Sequence, residues 1–218
     1  MIRFQCGPLL LLLVLFAGFS EAQPALRLKT RRIVSARRTP VAQIQSPVPF
    51  GRGHLILQFN APPSADTVAA LKARGISVLQ DVPENGLLVA VDRTAPVAGL
   101  GVRYAGRLDP RDKISPLLAR ISSLGPAASD QYLLAEFHPD IDLNDARALV
   151  SRLGLVLSGN PDLGPRQLLI HTGAARLDAA AALLAAQDEV AYVFPASSDL
   201  ASGTPVRPCA GAITTNGT

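Results

Sequence analysis

The chain has no tryptophan, one methionine, two cysteines and three histidines, and aromatic residues make up only 5% of its 218 positions. Its core must therefore be built from Leu, Val, Ile and Ala, which supply most of the 48% hydrophobic content. The histidines, His54, His138 and His171, form no His-Glu-x-x-His pair, the spacing that sets two zinc ligands on one face of a helix. No Gly-x-Ser-x-Gly nucleophile elbow is present. Gly99-Leu-Gly101 opens like a dinucleotide fingerprint, but Tyr104 stands where the third glycine belongs and a strand pattern follows instead of a helix, so the stretch reads as a turn. Neither a catalytic constellation nor a cofactor motif is legible, and no metal or cofactor is expected.

The cysteines and the N-terminus set the compartment. Arg3 precedes an apolar run, PLLLLLVLFAGF, that is too short for a comfortable membrane span, and Ser20-Glu21-Ala22 places small residues at −3 and −1. This predicts a signal peptide over residues 1–22, cleaved before Gln23, and a secreted or periplasmic protein with no membrane association afterwards. Cys6 precedes the apolar run, which is not the lipobox position, and Cys209 alone remains after cleavage, so an internal disulfide is excluded. The formal net charge of +4 comes largely from Arg27, Lys29, Arg31, Arg32, Arg37 and Arg38. That run has neither aromatic interleaving nor a helical stripe, so it reads as a solvated linker and not as a nucleic-acid surface, with Arg31-Arg32 and Arg37-Arg38 as candidate trimming sites.

What is present is a repeat. GHLILQFNAPPSADTVAALKARGISVLQDV, residues 53–82, gives an apolar strand pattern, a Pro-Pro loop, a helix stopped by Gly75 and a second strand pattern. QYLLAEFHPDIDLNDARALVSRLGLVLSG, residues 131–159, repeats it: Phe59 is answered by Phe137, Gly75 by Gly154, Leu87 and Leu88 by Leu168 and Leu169, and Val102 by Val190. Each copy predicts strand, helix, strand, strand, helix, strand. Ser64 or Asp66 can cap the first helix, Pro83-Glu84-Asn85-Gly86 signals a hairpin, and residues 95–100 allow a short second helix.

The expected fold class is α+β: two tandem ferredoxin-like (βαββαβ) units after a signal peptide and a disordered basic linker. Residues 23–52 form the linker, 53–115 the first domain, 116–130 a helical connector opened by Ser115 and Pro116, 131–197 the second domain, and 198–218 a flexible tail that stops as if cut. Each unit holds about 65 residues, a size at which burial only just offsets chain entropy, so contact between copies or with a partner should stabilise them. Asn216-Gly-Thr in the tail fits the N-glycosylation pattern.

The sharpest local candidate, His138-Pro-Asp140-Ile-Asp142-Leu-Asn144-Asp145, alternates oxygen donors like a calcium loop. Asp145 then stands where the loop needs glycine, and Ser151 where it needs a bidentate Glu. Asp142, Asn144 and Asp145 read better as residues at a helix N-terminus, and His54 and His171 as partly exposed strand residues.

HLILQF, LKARGISVL, PENGLLVAV and VRYAGRLDPRDKIS, taken together, resemble the inhibitor-I9 and fervidolysin-type prodomains of secreted subtilisin-like proteases, and the second copy resembles the same module more loosely. The stretch AYVFPASSDLASGTPVRPCAGAITTNG, residues 191–217, is similar to the region upstream of the catalytic domain in bacterial matrixin-like metalloproteases. The resemblance implies a non-catalytic prodomain acting as intramolecular chaperone and inhibitor, with a protease catalytic domain, in cis or trans, as its partner. It implies a docking sheet face and a cleft-binding segment after the last strand of the first unit: Arg107, Leu108, Asp109, Pro110, Arg111, Asp112, Lys113, Ile114 and Ser115. The alternative is an extracellular or periplasmic tandem module binding peptides or proteins. No catalytic residue carries over, and no nucleic-acid partner is expected.

Overall fold

The computed structural model describes residues 26–33, 41–49, 51–123, 131–172, 176–197 and 200. The expected signal peptide, Arg37 and Arg38, the end of the connector, Cys209 and Asn216 lie outside the described residues. The structure is mixed α+β, with its sheets antiparallel throughout.

The described residues begin with a small hairpin, β1 (Leu26–Arg27) and β2 (Arg32–Ile33), followed by β3 (Gln43–Ile44). The first unit then runs β4 (Gly53–Phe59), α1 (Ala65–Ala73), β5 (Ile76–Val82), β6 (Gly86–Val91), β7 (Ala95–Pro96) and β8 (Val102–Gly106). A 3-10 turn (Pro110–Lys113) and α2 (Pro116–Ser123) lead to the second unit: β9 (Gln131–Phe137), α3 (Leu143–Arg152), β10 (Val156–Ser158), β11 (Gln167–Thr172), α4 (Leu177–Ala185) and β12 (Val190–Pro195).

The two four-stranded sheets have the same order, β5-β6-β4-β8 and β10-β11-β9-β12. The correspondence extends to register. Phe59 faces Val102 and Phe137 faces Val190, and each of these pairs borders a shift in the ladder. The Phe59 amide donates to Asn85 O and the Phe137 amide to Arg166 O, both at 2.9 Å. Gly75 and Gly154 end the equivalent helices at φ +77° and +70°, a conformation that costs a side-chain-bearing residue energy. Ser64 caps α1 through the Thr67 amide, and Asp142 caps α3 through the Asn144 amide.

Alternation along each central strand divides the packing between two faces. Leu55, Leu57 and Phe59 meet Leu71 of α1 in one core, together with Leu87, Val89 and Val91. Leu133, Ala135 and Phe137 meet α3 and α4 in the other. Leu118 of α2 is buried in this second core, so the connector helix packs with the second unit.

Three expectations need correction. Residues 95–100 form no helix: Ala95–Pro96 pairs with Gln43–Ile44, and a turn with φ +79° at Gly99 and +72° at Gly101 follows. Six residues that contain a proline and a left-handed glycine, with a second left-handed glycine directly after them, cannot close helical hydrogen bonds, whereas Ala95 and Val97 are buried in the first core, where they pack beside Ile44. The described part of the supposed linker is not a solvated strand of charge. Leu26 is fully buried against Ile56 and Leu88, and Ile44 sits in the first core. The Pro83–Gly86 hairpin forms, but Glu84 and Asn85 take the positive φ values. Gly86 is needed for proximity instead: a methyl there would meet Leu26 Cδ1 at 2.8 Å and Val82 Cβ at 2.9 Å.

Candidate functional site: a charged seam between the units

His54, Ile56 and Gln58 occupy the face of β4 turned away from α1. That face is buried along its whole length, because the N-terminal hairpin and the second unit cover it. His54 lies where the units meet. Its Nδ1 is 2.7 Å from Asp188 Oδ2 and its Nε2 is 3.0 Å from Asp140 Oδ1, while its backbone amide donates to Asp188 Oδ2 at 2.9 Å. Both carboxylates belong to turns of the second unit, Asp188 between α4 and β12 and Asp140 just after β9. The His138 ring stacks on His54, centroids 4.1 Å apart and planes 22° from parallel.

Cations of the first unit surround the carboxylates. Arg107 approaches Asp188 at 3.6 Å, and Arg52 reaches Asp140 at 3.5 Å while bonding Asp92 at 2.8 Å. Lys113 donates from Nζ to the carbonyl of Gln187 at 2.7 Å. The expected exposure of His54 is thus wrong: it is 4% exposed and His138 is 1% exposed, because the neighbouring unit covers them. His171 stays half-buried on β11, beside the Tyr132 ring.

Burial works to lower the pKa of His54, but the hydrogen bonds and charges of Asp188 and Asp140 outweigh it and raise it above its ordinary value. For Asp188 burial works upward, and the His54 hydrogen bond and charge win, holding it below the usual carboxylate range. His138 has no hydrogen-bond partner on either ring nitrogen. Burial, reinforced by the charges of His54 and Lys113, pushes it down to about 3, so it stays neutral at ordinary pH. Burial also lowers Lys113 to about 8, against the pull of Asp188.

The segment expected to occupy a protease cleft is engaged within the chain. Asp112 and Lys113 are each 5% exposed. Arg31 clasps Asp112 with two bonds, Nε to Oδ1 at 2.7 Å and Nη2 to Oδ2 at 2.8 Å, and Thr30 adds a third. Ile114 forms a parallel bridge with Val193, and the Ser115 amide donates to Val193 O at 2.8 Å. Asp109 caps the 3-10 turn through the Arg111 amide, and Leu108 packs beside Ile56 and Leu88. Arg111 and Pro110 face solvent. Lys29 lies 4.2 Å over the Tyr192 ring, so the hairpin touches the second sheet as well as the first.

Sequence reasoning missed this seam, because its members are scattered from Arg31 to Asp188 and only the packing of one unit on the other unites them. Asp188-Glu189, at the turn before the last strand, carried no motif. Between the sheets lies a cavity of about 210 Å³, with Ile56, Leu88, Leu108 and Ala191 on its walls and Lys29, Asp81 and Glu136 among its charged lining. Among the described residues no three His, Cys, Asp or Glu side chains are grouped to hold a metal ion, and no helix is long and apolar enough to cross a membrane.

Residues 27–109 match the model of a family described as a domain of unknown function (DUF8729). The matched stretch runs from the hairpin through the first sheet and stops before the second unit. No curated protein and no solved structure matches the chain.

Proposed function

We propose that this chain is the exported, non-catalytic prodomain region of a secreted protease, serving it as folding template and inhibitor, and that it docks as a two-unit body. We read both sheets as ferredoxin-like, each with its fourth, first, third and second strands side by side, the first unit having exchanged its second helix for β7 and a turn. The observation that carries the two-unit reading is the engagement of residues 112–115, where Asp112, Lys113 and Ser115 are buried. With Asp112 held by Arg31 and Ile114 bridged to Val193, we assign the inhibitory role to the chain that follows β12 in place of residues 107–115. Two units already packed on each other lose little conformational freedom when they dock together.

The test is inhibition and refolding assistance by residues 23–218 against a panel of secreted subtilisin-like and matrixin-like catalytic domains. The full chain should inhibit at least one of them, and a chain ended at Pro195 should bind that enzyme without blocking its cleft. If no enzyme is inhibited or helped to refold, the prodomain reading fails. The second reading, a tandem module that captures extended peptides, is favoured by the sheet edges. β5 and β10 have no outer neighbour among the described residues, and Val156 of β10 is 60% exposed. A peptide added at either edge would protect the amides of that strand from exchange.

A further inference from the structure

We propose that His54 is a proton-operated latch between the two units, closed while its imidazole carries both protons and loosened as the pH rises. A neutral imidazole has one N–H and one lone pair, so in either tautomer one ring nitrogen would turn a lone pair toward a carboxylate. The carboxylates lie at 2.7 and 3.0 Å, too close for that repulsion to be dispersed, and both belong to the other unit. Only the imidazolium donates to both. It is 4% exposed, so solvent screens these pairs weakly.

The surroundings favour a single positive charge on the histidine pair. His138, stacked at 4.1 Å with neither nitrogen hydrogen-bonded, has no acceptor to stabilise its own charge. It offers a neutral π face to a charged ring. The other groups facing the latch are Arg52 at Asp140, Arg107 at Asp188, Lys113 on the Gln187 carbonyl, and Glu189 and Asp92 nearby. The guanidinium contacts to Asp140 and Asp188 do not involve the His54 proton, so losing it weakens the seam without abolishing it. Lys113 titrates with the opposite sign. Burial disfavours its charge, so shedding that proton relieves the closed form, and a loosening with rising pH cannot come from it.

The sign follows from linkage. The closed form holds the His54 proton more tightly than the open form, where an exposed histidine titrates near about 6.5. Closure is therefore fully supported below that value and loses support as pH rises through the higher pKa of the closed form. Between those two values the opening equilibrium should grow by up to about tenfold per pH unit and then level off. The latch does not depend on the protease role proposed above.

The experiment is hydrogen exchange and imidazole NMR on the full exported chain from pH 5.5 to 9. The amides of His54, bonded to Asp188, and Ser115, bonded to Val193, report opening after correction for intrinsic rates. Both should exchange from an opening that increases with pH in this window, and the increase should vanish in His54→Gln. At pH 5.5 both His54 ring nitrogens should carry protons. Opening that is flat across the range, or that keeps its pH dependence in His54→Gln, would overturn the latch. Should His54→Gln fail to fold, the wild-type ring decides: a neutral tautomer at pH 5.5 rejects the proposal, and a doubly protonated ring whose titration coincides with the opening supports it.

Discussion

Gly75 and Gly154 offer a controlled measurement of backbone strain. Both stand just past a helix C-terminus at nearly the same φ, +77° and +70°, and a Cβ built on either meets no atom within 4 Å. Replacing either by Ala therefore adds no clash and leaves the left-handed conformation as the only cost, roughly 1–2 kcal/mol. Alanine also restricts the unfolded chain, a gain of about 0.4–1 kcal/mol when the native conformation is compatible, which offsets part of that cost. The net loss should be about 1 kcal/mol at each site. Asn tolerates this region better, so Gly154→Asn should lose less than Gly154→Ala. Val, branched at Cβ, should lose more. Urea unfolding at constant m reads the difference as a shifted midpoint. The two Ala substitutions should match each other within about 0.5 kcal/mol and add in the double mutant, because the sites share no partner. A loss above about 3 kcal/mol at either site would mean a hidden contact, and no loss at either would mean the helix ends do not have this geometry.

The remaining expectations are briefer. His138, held near 3 in the folded state against about 6.5 unfolded, is protonated first in the unfolded chain, so it makes stability fall as pH drops through that window. His138→Phe should flatten this slope in urea midpoints measured from pH 6.5 to 4, and an unchanged slope would show that the ring is not the buried neutral group described. Ser64→Ala and Asp142→Ala should each cost about 1 kcal/mol, the worth of an N-cap, in the same denaturation assay. Leu57→Ala, at a fully buried site in the first core, should cost about 2–5 kcal/mol. Mass spectrometry of the protein recovered from its producing cells should find Gln23 at the N-terminus, outside the cytoplasm; an intact Met1 in a cytoplasmic fraction would contradict the proposed export.

Local chemistry made much of the fold legible. Gly75 and Gly154 marked helix ends because only glycine enters the left-handed region cheaply, and Ser64 and Asp142 marked helix starts because their oxygens reach free amides. The paired residues Phe59 and Phe137, and Val102 and Val190, recur because equivalent register positions need equivalent side chains, so the duplication was written in the sequence. Residues 95–100 were misread because their partner, Gln43–Ile44, lies far back in a stretch with no periodicity of its own. A two-residue strand is fixed by the strand it meets. In the basic run Lys29, Arg31 and Arg32 are exposed, as charge predicts, but only tertiary packing brings Asp112 under Arg31 and Tyr192 under Lys29. His54 is the sharpest case. Alternation put it on a face of β4, but whether that face is wet depends on what folds over it, and a residue distant in sequence, Asp188, sets its charge. The sequence by itself determined the elements, their ends and their repetition, since these follow from steric and hydrogen-bonding rules spanning a few residues. Tertiary structure decided that the two units share one buried ionic seam, because ion pairing acts through space and leaves no periodic trace along the chain.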